Sequence, residues 1–295
     1  MTCRTMLAVM AVMALILLPW ASRVMARDSV IWLEAEMPPY FIQSGPLQEQ
    51  GYGDIISDIL QERLTGYDHE EMVINITRHF YKFKQGEKVC SVGLYRTPER
   101  EEFIHFSIPS FLTLPAVIII NKDQWQKFGN RDSVRLEEIL NNKELTIGLA
   151  KDRSYGQAVD QILGRHAGSK DIVEIAGQKL SLNLFKMLML NRVSGLIGLP
   201  EEALFHAEQM GIRDRILTLT IEENQQGYDA WMCSVGCSNN EWGRTIIAEI
   251  NRILLTERPT SRYRTAYERW LDSNSIGAYR KVYDAIFLKT ANEVH

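Results

Sequence analysis

The chain has 295 residues, 45% of them hydrophobic and 24% charged, with a formal net charge of −4. That is ordinary for a globular protein and long enough for one large domain or two medium ones. No basic stripe interleaved with aromatics is present, which argues against a nucleic-acid partner.

Residues 1–26 differ from the rest. They carry Arg4 and Arg23 and no acid, an uninterrupted apolar run from Met6 to Leu18, then Pro19 and Val24-Met25-Ala26. This pattern predicts a cleaved secretory signal, a mature chain starting near Arg27, and a periplasmic location. A membrane anchor is the alternative, but the run is short for a bilayer span of ~20 residues. Cys3 precedes the apolar run and is not placed as a lipoprotein cysteine. Past residue 26, no apolar run is long and uninterrupted enough to span a membrane.

Ser29 to Leu33 reads as a first strand, and Pro38-Pro39 stiffens the loop that follows, Glu34 to Phe41. Gly51-Tyr52-Gly53 is a turn. Asp54 is predicted to cap a helix with Ile56, Ile59, Leu60 and Leu64 on its apolar face, stopped by Gly66. Met72 to Thr77 is a strand, 80–86 is helix-like, and 89–95 is a short buried strand. The order is that of a parallel α/β half. Thr97-Pro98-Glu99-Arg100 breaks this last strand, because Pro98 fixes its own φ and restrains Thr97. The turn lifts a hydroxyl and a guanidinium past a strand end, where open α/β sheets bind ligands. Phe103, Phe106 and Ser107 follow, then Ala116 to Ile120, a β-branched run suited to a strand buried on both faces.

The pattern T-x-E-R, then F-S-x-P, then a hydrophobic strand resembles the family 3 extracellular solute-binding proteins of polar amino-acid ABC transporters. The resemblance covers nearly all of the chain after residue 27. It implies a type II periplasmic-binding-protein fold, two α/β lobes joined by two hinge strands and closing on a small molecule. It assigns Arg100 as the anchor of a ligand carboxylate, with Thr97 beside it. It also places Tyr40, the aromatic after the proline pair, at the cleft; a core or rim tyrosine is the plain alternative. Of the hydroxyl-rich run that usually precedes the arginine turn, Val92-Gly93-Leu94-Tyr95 keeps only the Tyr95 hydroxyl.

Beyond 120 the chain is expected to form a second lobe, residues 120–221, before 222–295 returns to the first, residues 27–119. Leu136 to Leu140 is a short helix and Leu145 to Leu149 a strand. Ser154 is predicted to cap a helix carrying Tyr155, Ala158, Val159, Ile162 and Leu163. A helix start suits an anion, and the resemblance makes Ser154 a ligand contact from this lobe, with the neighbouring Tyr155 a further candidate. Here Arg153-Ser154 stands where the family has Gly-Thr or Gly-Ser. A strand at 172–175, a helix capped by Ser181, a strand at 196–199, a helix opened by Pro200-Glu201-Glu202 and a strand at 216–221 complete the lobe. Segments 118–122 and 218–222 are the expected hinge strands. A strand from Tyr228 to Val235 and helices at 242–255, 263–271 and 279–287 close the chain.

The family's acceptor for a ligand ammonium is an aspartate near residue 200. This chain has Gly198-Leu199-Pro200-Glu201-Glu202 there, so an ordinary amino acid is expected to bind poorly unless Glu201 or Glu34 turns inward. The expected ligand is a carboxylate-bearing or otherwise polar small molecule, aromatic in view of Tyr40, Tyr155 and Trp231. A cleft adapted to peptide or protein is equally compatible. Cys90, Cys233 and Cys237 permit one disulfide in an oxidising compartment. Cys90–Cys237 is expected, with both residues in the first lobe, and Cys233 is the alternative partner.

The six histidines show no H-x3-H pair and no H-E-x-x-H, and neither G-x-S-x-G nor G-x4-G-K-[ST] occurs. The expectation is a monomeric binding protein without metal, cofactor or catalytic set, partnered by an ABC permease. Two alternatives stay open: a sensing lobe for a membrane partner, and a dehydratase-like enzyme on the same fold.

Overall fold

The computed structural model describes residues 27–177, 179–224 and 231–290. The expected leader, 1–26, lies outside the described residues, as do positions 228–230 of the predicted late strand. Strands and helices alternate along the chain: β1 (Asp28–Glu34), α1 (Tyr52–Arg63), β2 (Tyr67–Val73), α2 (Ile76–Lys84), β3 (Val89–Leu94), α3 (Pro98–Glu101) and β4 (Ile104–Leu112). Then come β5 (Val117–Asn121), β6 (Ser133–Val134), α4 (Leu136–Asn141), β7 (Ile147–Ala150), α5 (Gln157–Arg165), β8 (Ile172–Ile175), α6 (Leu180–Met189), β9 (Gly195–Gly198), α7 (Pro200–Gln209) and β10 (Ile216–Ile221). β11 (Met232–Ser238), α8 (Glu241–Glu257), α9 (Ser261–Glu268) and α10 (Ser273–Val282) follow, and a π-helical turn at Tyr283–Phe287 ends the last helix.

Among the described residues the strands form two sheets, ordered β2-β1-β3-β11-β4 and β6-β10-β5-β9-β7-β8. The first is not all-parallel. β1 runs parallel to β2 and β3, but β11 enters antiparallel between β3 and β4. Each sheet has its own core. Trp32, Ile59, Val235, Ile250 and Tyr263 belong to one cluster, and Ile118, Ile147, Val159 and Ile221 to another. The chain crosses between lobes at 113–116 and again after Ile221. The segments expected as hinges are β5 and β10, which pair antiparallel inside the second sheet.

Cys90 and Cys237 face each other in register on β3 and β11 and are disulfide-bonded; Cys233 is a buried free thiol. The bond closes a loop of 147 residues that contains the whole second sheet.

Three expected caps lie a few residues away from their predicted places. Gly51, not Asp54, caps α1; Asp54 reaches back from the first turn to accept the Gly51 N–H at 2.8 Å and the Ile42 N–H at 3.0 Å. Gly156, not Ser154, precedes α5, and Lys179 precedes α6, with Ser181 inside it. In α1 the acidic side chain of the first turn satisfies the cap N–H from inside the helix, so the cap residue itself need not be polar.

Candidate ligand-binding cleft

The functional side chains gather where strands end. In the first sheet the order reverses at β1 and β3, and their carboxyl ends lead into loops carrying Tyr40 and Tyr95. In the second, β7 and β9 end just before Asp152–Ser154 and Leu199. Such switch points leave a crevice between diverging loops. The two crevices face each other and enclose an inner cavity of about 80 Å³, whose walls include Tyr40, Tyr95, Arg100, Arg153 and Ser154. A larger cavity of about 610 Å³ shares Tyr95 and Ser154 with it and continues past Thr97, Ile108, Pro109, Gln157 and Asp160.

Arg100 lies in a one-turn helix capped by Thr97, whose hydroxyl accepts the Arg100 N–H at 3.3 Å. Its guanidinium lies over the Phe80 ring, 4.4 Å from the centroid. It donates to two backbone carbonyls, Tyr95 O at 2.9 Å and, across the lobes, Asp152 O at 3.3 Å. Among the described residues no carboxylate forms an ion pair with it. Burial pulls its pKa below the usual arginine value. A half-buried guanidinium bonded only to carbonyls, with Asp160 near it but not paired to it, can take an anion.

The opposite wall is different. Arg153 forks onto Glu202 at 2.8 and 3.1 Å, and the two side chains are 13% and 4% exposed. Burial works against the Arg153 charge, but the Glu202 carboxylate outweighs it and the net shift is upward. Ser154 donates its hydroxyl to Asp160, and the Tyr155 N–H donates to the same carboxylate at 2.8 Å. Burial raises the Asp160 pKa, and Ser154, Tyr155 and the nearby Arg100 charge oppose the rise. The protein's own carboxylate thus sits at the helix start where an incoming anion was expected.

The remaining predicted residues divide. Tyr40 lines the inner cavity, donates to Val92 O, and stacks near Phe41, Tyr52 and Phe111. Gly93, with φ of 75°, leaves the space that the Tyr40 hydroxyl and the Phe111 ring fill; a Cβ would strike both. Tyr95 lies 3.4 Å from the Thr113 hydroxyl. Tyr155 is buried in the second lobe's core, its hydroxyl accepting the Ala150 N–H at 2.8 Å, and Trp231 donates to Asn224 O at 3.3 Å; neither lines the inner cavity. Glu34 is not among its walls; it accepts from Gln43 at 2.7 Å, with burial raising its pKa to about 8. Glu201 is buried between Tyr52 and Tyr267.

Sequence reading missed Arg153, Asp160 and the aromatic wall of Tyr52, Phe80 and Phe111. A signal existed for Arg153: an arginine replaces the family's glycine beside a doubled glutamate at 201–202. None existed for Asp160, whose reach back to Ser154 depends on the loop path. Among the described residues no metal-binding group of side chains occurs, and no helix is long and apolar enough to cross a membrane.

No protein-family model and no curated protein matches the chain. Solved structures do. An ancestral arginine-binding protein bound to glutamine superposes with a TM-score of 0.63 at 18% identity, covering 84% of this chain and 99% of the other. An arginine third transport system periplasmic binding protein from Legionella pneumophila gives 0.60 at 16%, covering 83% and 100%. A histidine kinase sensor domain with similarity to periplasmic binding proteins gives 0.61 at 15%, covering 83% and 96%. The chain therefore has the two-lobed α/β fold of periplasmic binding proteins, as its sequence led us to expect.

Proposed function

We propose that the chain is an exported, periplasmic solute-binding protein that captures a small carboxylate-bearing molecule between its lobes for an ABC permease. One observation carries this: Arg100, at the wall of an interlobe cavity, has a half-buried guanidinium bonded only to carbonyls, with no ion-pair partner among the described residues. A bidentate carboxylate would compensate that charge, and its hold on Arg100 beside Asp152 would favour the lobes staying together. The neighbours of like fold, which include an amino-acid transporter's substrate-binding protein, support the solute-binding role.

The site departs from the expected two-sided clamp. Ser154 already serves Asp160, so the carboxylate contact is assigned to Arg100, with Thr97 as its helix cap and Tyr40 and Tyr95 as walls. Glu201, Glu202 and Glu34 are each engaged elsewhere, and the Asp152 carboxylate accepts the Thr77 hydroxyl at 2.5 Å. Asp160, on the cavity wall, accepts from Ser154 and Tyr155, so among the described residues an α-ammonium would meet no uncommitted carboxylate, which disfavours standard amino acids. Calorimetry against the twenty amino acids and a set of amine-free carboxylates tests this. Tight binding confined to the second set is expected, and micromolar binding of any standard amino acid overturns it. A sensing role for a membrane partner is the second reading, favoured by the likeness to the kinase sensor domain; co-purification with a membrane protein other than a permease would select it.

A further inference from the structure

We propose that Glu201 is a proton-coupled latch between the lobes, so that closure takes up a proton and weakens as pH rises. Glu201 belongs to the second lobe, at the start of α7, yet both its oxygens are held by tyrosines of the first. Tyr52 of α1 donates to Oε1 at 3.2 Å and Tyr267 of α9 to Oε2 at 2.9 Å. Tyr267 is itself fixed by the Leu114 N–H, which donates to its hydroxyl at 2.8 Å within the crossing segment. The residue is 1% exposed. The interlobe bonds of Arg100 and Thr77 to Asp152 lie at the exposed rim instead. Separating the lobes would draw Glu201 out of its tyrosine pair and into water.

Among the described residues no cation is paired with Glu201; Arg213, which lines a cavity with Glu201 and Asp272, is held by Glu208. Tyr52 and Tyr267 approach from α1 and α9, and Tyr279 of α10, Tyr95 just past β3 and Cys233 of β11 lie within its electrostatic reach. The tyrosines are pushed well above their usual value by burial and the Cys233 thiol to about 12, so all stay neutral. On its own helix stands Glu202, of like sign, and the nearby Arg153 is committed to Glu202. His206, one turn further, is held neutral by burial, with its pKa near 4.

Burial and the Glu202 charge accordingly raise the Glu201 pKa from the ordinary 4.5 to about 8. A carboxyl raised in the closed state favours closure fully below its open-state value. That advantage is lost as pH climbs to the closed-state value, by up to about tenfold in the closing equilibrium per pH unit. Closure is then tightest below pH 4.5, declines towards pH 8 and is level above it.

The inference concerns lobe motion and not ligand identity, so its test needs no ligand. Small-angle scattering of the ligand-free, disulfide-intact protein between pH 5 and pH 9 should show the radius of gyration rising with pH at constant far-UV circular dichroism. Glu201→Gln should flatten the profile in the closed state. Tyr52→Phe, which removes a bond that helps hold the charge, should deepen the alkaline opening. A wild-type radius independent of pH, or a pH profile unchanged in Glu201→Gln, overturns the proposal.

Discussion

Arg153→Met isolates the interaction that sequence reading did not foresee. The substitution keeps an unbranched apolar stem of similar reach and deletes the guanidinium. Glu202, 4% exposed, would lose both arms of its fork and keep the Leu199 N–H at 3.1 Å. Removing one partner of a buried ion pair typically costs ~3–5 kcal/mol, because the other charge stays desolvated. The arginine is itself little exposed, so solvent does little to replace it. For a domain stable by ~5–15 kcal/mol that is a large loss. Urea denaturation followed by tryptophan fluorescence reads it as a drop in midpoint at constant slope. Replacing both partners, Arg153→Met with Glu202→Leu, should return most of the stability, since two apolar groups need no counter-charge. The reasoning fails if Arg153→Met shifts stability by less than about 1 kcal/mol, or if the double variant is worse than the single.

Other outcomes follow from the same contacts. Cys90→Ser with Cys237→Ser should lower stability by up to ~5 kcal/mol in the chain-entropy account of a 147-residue loop, measured by the same denaturation without reductant. Glu34, raised to about 8 by burial, stabilises the fold below its unfolded value and loses that contribution as pH rises towards 8. Glu34→Gln should therefore flatten the pH dependence of stability between pH 5 and pH 8, an effect on the order of 3 kcal/mol; an unchanged profile would show that the carboxyl is hydrated. Asp160→Asn removes a negative charge near Arg100 and should strengthen carboxylate binding several-fold by calorimetry.

Local chemistry and order along the chain made much of this legible. Pro98 after Thr97 announced the turn that holds Arg100, and the β-branched run 116–120 announced a central strand. The disulfide followed from placing Cys90 and Cys237 in one lobe. Features set by packing between distant segments were not legible. β11 slots antiparallel between β3 and β4, which alternating strands and helices do not reveal. β4 itself, IHFSIPSFL, contains Pro109 and reads poorly as a strand. Tyr155 was expected at the cleft because it follows Ser154, but the loop turns its ring into the lobe's core. Glu201 and Glu202 are adjacent in sequence yet face different partners, one the other lobe's tyrosines and one Arg153.

The central claim is that Arg100 holds a ligand carboxylate between the lobes. Thermal unfolding of wild type and Arg100→Lys across a panel of small carboxylates tests it most directly, because a bound ligand raises the midpoint by mass action. A lysine cannot reproduce the planar fork, and losing such a desolvated partner typically costs ~2–5 kcal/mol of affinity. At least one carboxylate should raise the midpoint of wild type and leave that of Arg100→Lys unmoved. A carboxylate that stabilises both proteins equally, or a panel that stabilises neither, would contradict the account.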